Sequence, residues 1–129
     1  MTTFDEADRM IKKGNIIALR DALNNGLNAN TENRYGWSLL MSAANRCDVR
    51  IGELLISQGA DVNHITKTKP PSLSGSPLQL AILRGHVPFI QLLLSHGAKT
   101  DHMPPLAEWI KYSGLPQKKI DEMLNIFKQ

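Results

Sequence analysis

Ten residues, Leu54-Leu55-Ile56-Ser57-Gln58-Gly59-Ala60-Asp61-Val62-Asn63, recur as Leu92-Leu93-Leu94-Ser95-His96-Gly97-Ala98-Lys99-Thr100-Asp101. A worn third copy, Leu23-Asn24-Asn25-Gly26-Leu27-Asn28-Ala29-Asn30, stands upstream, so the glycines fall at 26, 59 and 97. Self-similarity at a period of 33 to 38 residues is the mark of stacked supersecondary units, none of which buries its apolar face alone. The repeat points to binding rather than chemistry.

Each unit reads as two short helices followed by a turn. In the second, Leu39-Leu40-Met41-Ser42-Ala43-Ala44 predicts a first helix whose small residues admit a close neighbour, and Ile51-Gly52-Glu53-Leu54-Leu55-Ile56 predicts the second. Gly59 then falls where a left-handed residue ends a helix, a conformation favourable only for Gly or Asn. The third unit repeats the plan, with Pro77 and Pro88 at first-turn positions. Thr3-Phe4-Asp5-Glu6 has capping-box spacing and opens the first unit. Gly14, Cys47 and Gly85 share the slot between paired helices, where Cys47 is the odd residue. The last unit is irregular: the connection from Asp101 to Pro105 is short, whereas that from Asn63 to Pro77 is enlarged. Gln117–Phe127 predicts an amphipathic terminal cap.

By these residues the chain resembles the ankyrin repeat family. The likeness is carried by Gly59-Ala60-Asp61-Val62-Asn63, Ser76-Pro77-Leu78-Gln79-Leu80-Ala81 and Gly85-His86-Val87 with Leu92-Leu93-Leu94. The family has Thr-Pro-Leu-His where this chain has Ser-Pro-Leu-Gln, and Ser38-Leu39-Leu40-Met41 is looser. The resemblance implies an all-α solenoid of stacked helix–turn–helix units with projecting finger loops. It implies a single domain over residues 1–129, with units 4–30, 31–63 and 64–101 and a cap at 102–129. It also implies binding of a partner protein through the fingers and the concave face of the first helices. The family's variable surface positions, carried over to the second repeat, fall on Glu32, Arg34, Tyr35, Trp37, Asn45 and Arg46.

Tyr, Trp and Arg offer large contact area and several donors at limited entropic cost, so Arg34, Tyr35 and Trp37 are the expected anchors. The competing reading has Trp37 packing over the finger base and Tyr35 resting on a neighbouring repeat. The enlarged finger, residues 64–75, mixes lysines with Pro-Pro and small polar residues. It is either a contact loop or a spacer. Its candidate contacts are Lys67, Lys69 and Leu73, with Leu83 and Arg84 flanking it on the concave surface.

Charge and cysteine content narrow the classes further. Residues 1–63 carry seven basic and eight acidic side chains and residues 64–129 carry eight and four, a mild positive bias short of a nucleic-acid footprint. The basic residues Lys67, Lys69, Lys111, Lys118 and Lys119 lack interleaved aromatics, so a solvated face is the expected role and nucleic acid is not the expected partner. Cys47 is the single cysteine, excluding an internal disulfide and a cysteine-built zinc site. No signal-peptide pattern opens the chain, and no apolar run approaches the roughly 18 residues of a membrane span. A cytoplasmic protein, monomeric when free, is expected.

Catalytic chemistry finds little support. His86 occupies a slot where, by the resemblance, a structural His bonds backbone; His96 precedes a helix-ending Gly. His64 and His102 hold equivalent places in successive units, too far apart to share an ion unaided. Phosphate-loop, nucleophile-elbow and zincin motifs are absent, and Cys47 lacks a sequence-defined base. No enzymatic activity, cofactor or metal is expected. The alternative to a general protein-binding module is a small inhibitor or immunity-type protein that occludes the active site of an enzyme or toxin.

Overall fold

The computed structural model describes residues 2–66, 75–101 and 105–127. Lys67, Lys69, Leu73 and His102 lie outside the described residues. Among the described residues eight helices follow in order: α1 (Phe4–Lys12), α2 (Ile16–Asn24), α3 (Leu39–Asn45), α4 (Val49–Ser57), α5 (Pro77–Arg84), α6 (Val87–Ser95), α7 (Leu106–Lys111) and α8 (Gln117–Phe127). Among the described residues the extended structure is one isolated antiparallel bridge, Glu32 with Ser38, so the class is all-α. No helix among them is long and apolar enough to cross a membrane.

Side chains decide where the helices start. The inner helices α1, α3 and α5 are capped by the hydroxyls of Thr3, Ser38 and Ser76. The outer helices α2, α4 and α6 are capped by Asn15, Asp48 and His86, whose Nδ1 accepts from Phe89 N–H. Thr3 and Glu6 complete a reciprocal capping box, and Pro77 and Pro88 sit in first turns. Each cap satisfies an otherwise orphaned amide and contributes about 1 kcal/mol.

The ends are equally regular. After each outer helix a glycine of positive φ (Gly26, Gly59, Gly97) turns the chain. The next residue's N–H then returns to the helix: Leu27 to Ala22, Ala60 to Leu55 and Ala98 to Leu93, at 2.9 to 3.0 Å. These are Schellman closures. Between paired helices, Gly14, Cys47 and Gly85 all adopt the left-handed conformation, with φ of 67°, 57° and 64°. Cys47 therefore holds a backbone that an L-residue adopts at a cost of about 1–2 kcal/mol.

The helices form two rows. α1, α3 and α5 pack side by side, and α2, α4, α6 and α8 make the second row behind them. The core runs along the stack, through Ile11, Leu19, Leu39, Leu40, Ile51, Leu55, Leu78, Ile82, Phe89, Ile90 and Leu93, all essentially inaccessible. α4 and α6 approach closely because Gly52 has no side chain: a Cβ there would lie 2.8 Å from Phe89 Cζ and 3.1 Å from Leu92 Cδ2. Ile120 and Met123 of α8 are buried, closing the end of the second row.

Two stability effects follow. Gly52→Ala lowers stability by up to about 2 kcal/mol, because overpacking of about 1–3 kcal/mol opposes a helix-propensity gain of about 1. The loss shrinks in a Phe89→Leu background, which a double-mutant cycle of denaturation midpoints detects. Cys47→Gly raises stability by about 0.5–1 kcal/mol, read as a higher urea midpoint at constant m, since relief of left-handed strain outweighs the greater unfolded-state entropy of Gly.

Candidate functional site

The second finger, residues 31–38, is built on one side chain. Asn33 Oδ1 accepts the N–H groups of both Tyr35 and Trp37 at 2.9 Å. Asn33 N–H donates to Trp37 O at 3.0 Å, and Gly36 N–H donates to Asn33 O at 3.0 Å. Gly36, with φ of 82°, supplies the reversal. The loop is thus a closed turn in which every central amide from Tyr35 to Trp37 has a partner. Sequence reasoning passed over Asn33; an Asn three residues before a Gly in a loop was the available signal.

The finger divides the expected site residues among three clefts. Trp37 is half-buried against the core and, with Phe4, Asp8, Lys12, Ser42, Asn45 and Arg46, lines a cleft of about 210 Å³ on the inner-helix face. Glu32, Arg34 and Tyr35 line an open cleft toward the third repeat with Asp61, Asn63, His64, Ile65 and Thr66, and Arg34 and Tyr35 also line one toward the first repeat with Thr3, Phe4 and Asp5. Tyr35 is 62% exposed, and the Arg34 guanidinium sits 5.0 Å from its ring centroid. Arg84 donates from Nε and Nη2 to Asn45 Oδ1 at 3.0 and 2.6 Å, joining these two expected residues directly. Leu83 beside it is 52% exposed.

Neighbouring units are tied at the finger bases. Asn30 Nδ2 donates to Gly59 O at 2.9 Å while its Oδ1 accepts Asp61 N–H at 2.7 Å. Asn63 repeats this one unit later, donating to Gly97 O at 3.2 Å and accepting Lys99 N–H at 2.8 Å. His64 Nε2 lies 2.7 Å from Gly36 O and 2.9 Å from Glu32 Oε1. Two acceptors at one ring nitrogen require Nε2 to carry the proton, so His64 fastens the second finger to the third. The base of the third finger is closed by buried Thr66: Gly75 N–H donates to Thr66 Oγ1 at 2.6 Å, and Thr66 N–H donates to Gly75 O at 2.9 Å.

Reactive groups are few. Burial pushes the Cys47 thiol above its ordinary value, with the nearby Arg84 charge opposing. The group therefore carries less thiolate at neutral pH than a free cysteine would. Among the described residues no three His, Cys, Asp or Glu side chains cluster to hold a metal ion.

Comparison with known proteins agrees with the repeat architecture. The family described as ankyrin repeats (3 copies) matches residues 9–104. Similar curated proteins include the ankyrin repeat and KH domain-containing protein mask of Drosophila melanogaster, 36% identical over 57% of this chain and 2% of its own. The ankyrin repeat domain-containing protein 17 of Homo sapiens is 37% identical over 57% of this chain and 3% of its own. The ankyrin repeat, SAM and basic leucine zipper domain-containing protein 1 of Carollia perspicillata is 31% identical over 73% of this chain and 20% of its own. The chain spans no more than a fifth of the length of these relatives.

The finger geometry separates scaffold from contact residues. Asn33→Ala removes the one side-chain acceptor of two hydrogen bonds and lowers stability by about 1–2 kcal/mol. Tyr35→Ala, at an exposed ring, stays within about 0.5 kcal/mol of the parent. Chemical denaturation of both variants checks the contrast.

Proposed function

This chain belongs to the ankyrin repeat family, and from that premise we propose that it binds another protein through its second finger and the adjoining concave face. Ankyrin repeats generally act as protein–protein interaction modules and typically as non-enzymatic scaffolds. The observation that carries the reading here is the exposed Tyr35 ring with the Arg34 guanidinium over it, on a finger whose backbone Asn33 holds fixed. An exposed aromatic on a rigid loop is an effective anchor because little entropy remains to be lost on binding. The clefts on either side receive a partner's side chains, with Trp37, Asn45 and Arg46 lining one and Glu32 the other. Recognition is rigid surface complementarity and requires no cofactor. The free protein is a cytoplasmic monomer in this reading.

Affinity capture from lysate of the native cell tests it, comparing the parent chain with an Arg34→Ala/Tyr35→Ala variant. Both residues are exposed, so the variant keeps its fold. A discrete protein retained by the parent and reduced at least about tenfold by the variant is the expected result. Equal retention by both excludes the second finger as the contact.

A further inference from the structure

Lys13, Arg46 and Arg84 occupy one position in three successive repeats, each just before the left-handed turn residue. The two arginines act alike, each reaching back to the end of the preceding inner helix. Arg46 Nη2 donates to the Lys12 carbonyl at 3.1 Å, and Arg84 donates from two nitrogens to Asn45 Oδ1. Lys12 and Asn45 are themselves equivalent positions. A guanidinium has five N–H donors, so each latched arginine keeps donors for another acceptor. Both are exposed, and among the described residues neither pairs with a carboxylate. Lys13 is likewise exposed and, among the described residues, has no ion pair. The stem of Lys119, from α8, lies over Gly85 at the end of α5, its Cγ 2.9 Å from where a Cβ would stand.

We propose that this row of cations at the inner-helix ends is the docking surface for a carboxylate-rich segment of a partner protein. The inference rests on the protein-binding reading and names the chemistry of the partner. Three features support it. The latches hold both guanidinium groups in place before a partner arrives, which removes part of the ordering cost of binding. Packed helices stand about 8–10 Å apart, so successive cations repeat at about that interval. An extended polyproline II segment, with three residues per turn and about 3.1 Å per residue, presents every third side chain on one face at about 9 Å. Acids spaced by three thus meet Lys13, Arg46 and Arg84 in register. A polyphosphate strand fits less well: Asp8, 3.0 Å from Lys12, Asp48 beside Gly14, and Glu122, 3.5 Å from Lys119, interrupt the row with negative charge. A peptide can avoid those points, whereas a strand charged at every nucleotide cannot.

Fluorescence anisotropy with the full chain tests the proposal, using a labelled peptide of four Glu-Pro-Pro triplets, its Gln-Pro-Pro counterpart and an oligothymidylate. The Glu peptide is expected to bind at least about tenfold tighter than the Gln peptide, with affinity falling as salt rises. Arg46→Gln/Arg84→Gln reduces binding at least about tenfold. Lys13→Gln, which breaks no hydrogen bond in the fold, reduces it by about threefold, and the off-row Lys111→Gln leaves it unchanged. Equal binding of the two peptides, no binding of either, or preference for oligothymidylate overturns the proposal. If the peptide fails while capture of a protein through Arg34 and Tyr35 persists, the acidic-partner inference falls and the finger reading stands. Loss of both overturns both.

Discussion

Six consecutive residues of α3, Leu39 through Ala44, are buried, in a helix only seven residues long. An isolated helix of that length is far below what water supports, and one without a solvent face has no independent existence at all. α3 exists because α1 and α5 cover its flanks and α4 its back. Every other feature depends on this arrangement. The second finger starts from the Ser38 cap of α3, and the Asn45–Arg84 and Arg46–Lys12 bonds span the ends of helices that α3 brings together. Stability and recognition therefore share one scaffold, as expected where each repeat is held by its nearest neighbours.

Polar contacts between repeats follow the same logic. The apolar stack brings successive units side by side without setting their finger loops. Asn30 and Asn63 do that, each using a single amide as donor to a turn carbonyl and as acceptor from the N–H two residues further along the turn. His64 adds a second tie between fingers. The exposed side chains of the finger are consequently presented by a framework whose amides from Tyr35 to Trp37 are all hydrogen-bonded, and Arg34 and Tyr35 touch each other at its tip.

Much of this was legible in the chain. The Gly-Ala-Asp-Val-Asn turns, the Ser-Pro-Leu helix starts and the shared slot of Gly14, Cys47 and Gly85 each reflect a local backbone requirement, and local requirements leave marks at fixed spacing. The left-handed Cys47 was readable for that reason, whereas the backbone-bonding role of His86 came from the family resemblance. The inter-repeat bonds were not. Arg84 meets Asn45 and His64 meets Glu32 only after the units stack, and nothing in the spacing of either pair names the partner. Asn33 escaped notice because its role is to hold a short loop of irregular sequence. The division of Trp37 from Tyr35 between two clefts likewise comes from the turn geometry rather than from residue type.

The second finger is a preformed surface rather than a loop that orders on contact. Amide hydrogen exchange of Tyr35 and Trp37 in the free protein measures this most directly, since both N–H groups donate to Asn33 Oδ1. Protection approaching that of the α3 amides is the predicted result. Exchange of both at unstructured-chain rates would contradict the account, because a finger open in solution could not offer a fixed aromatic anchor.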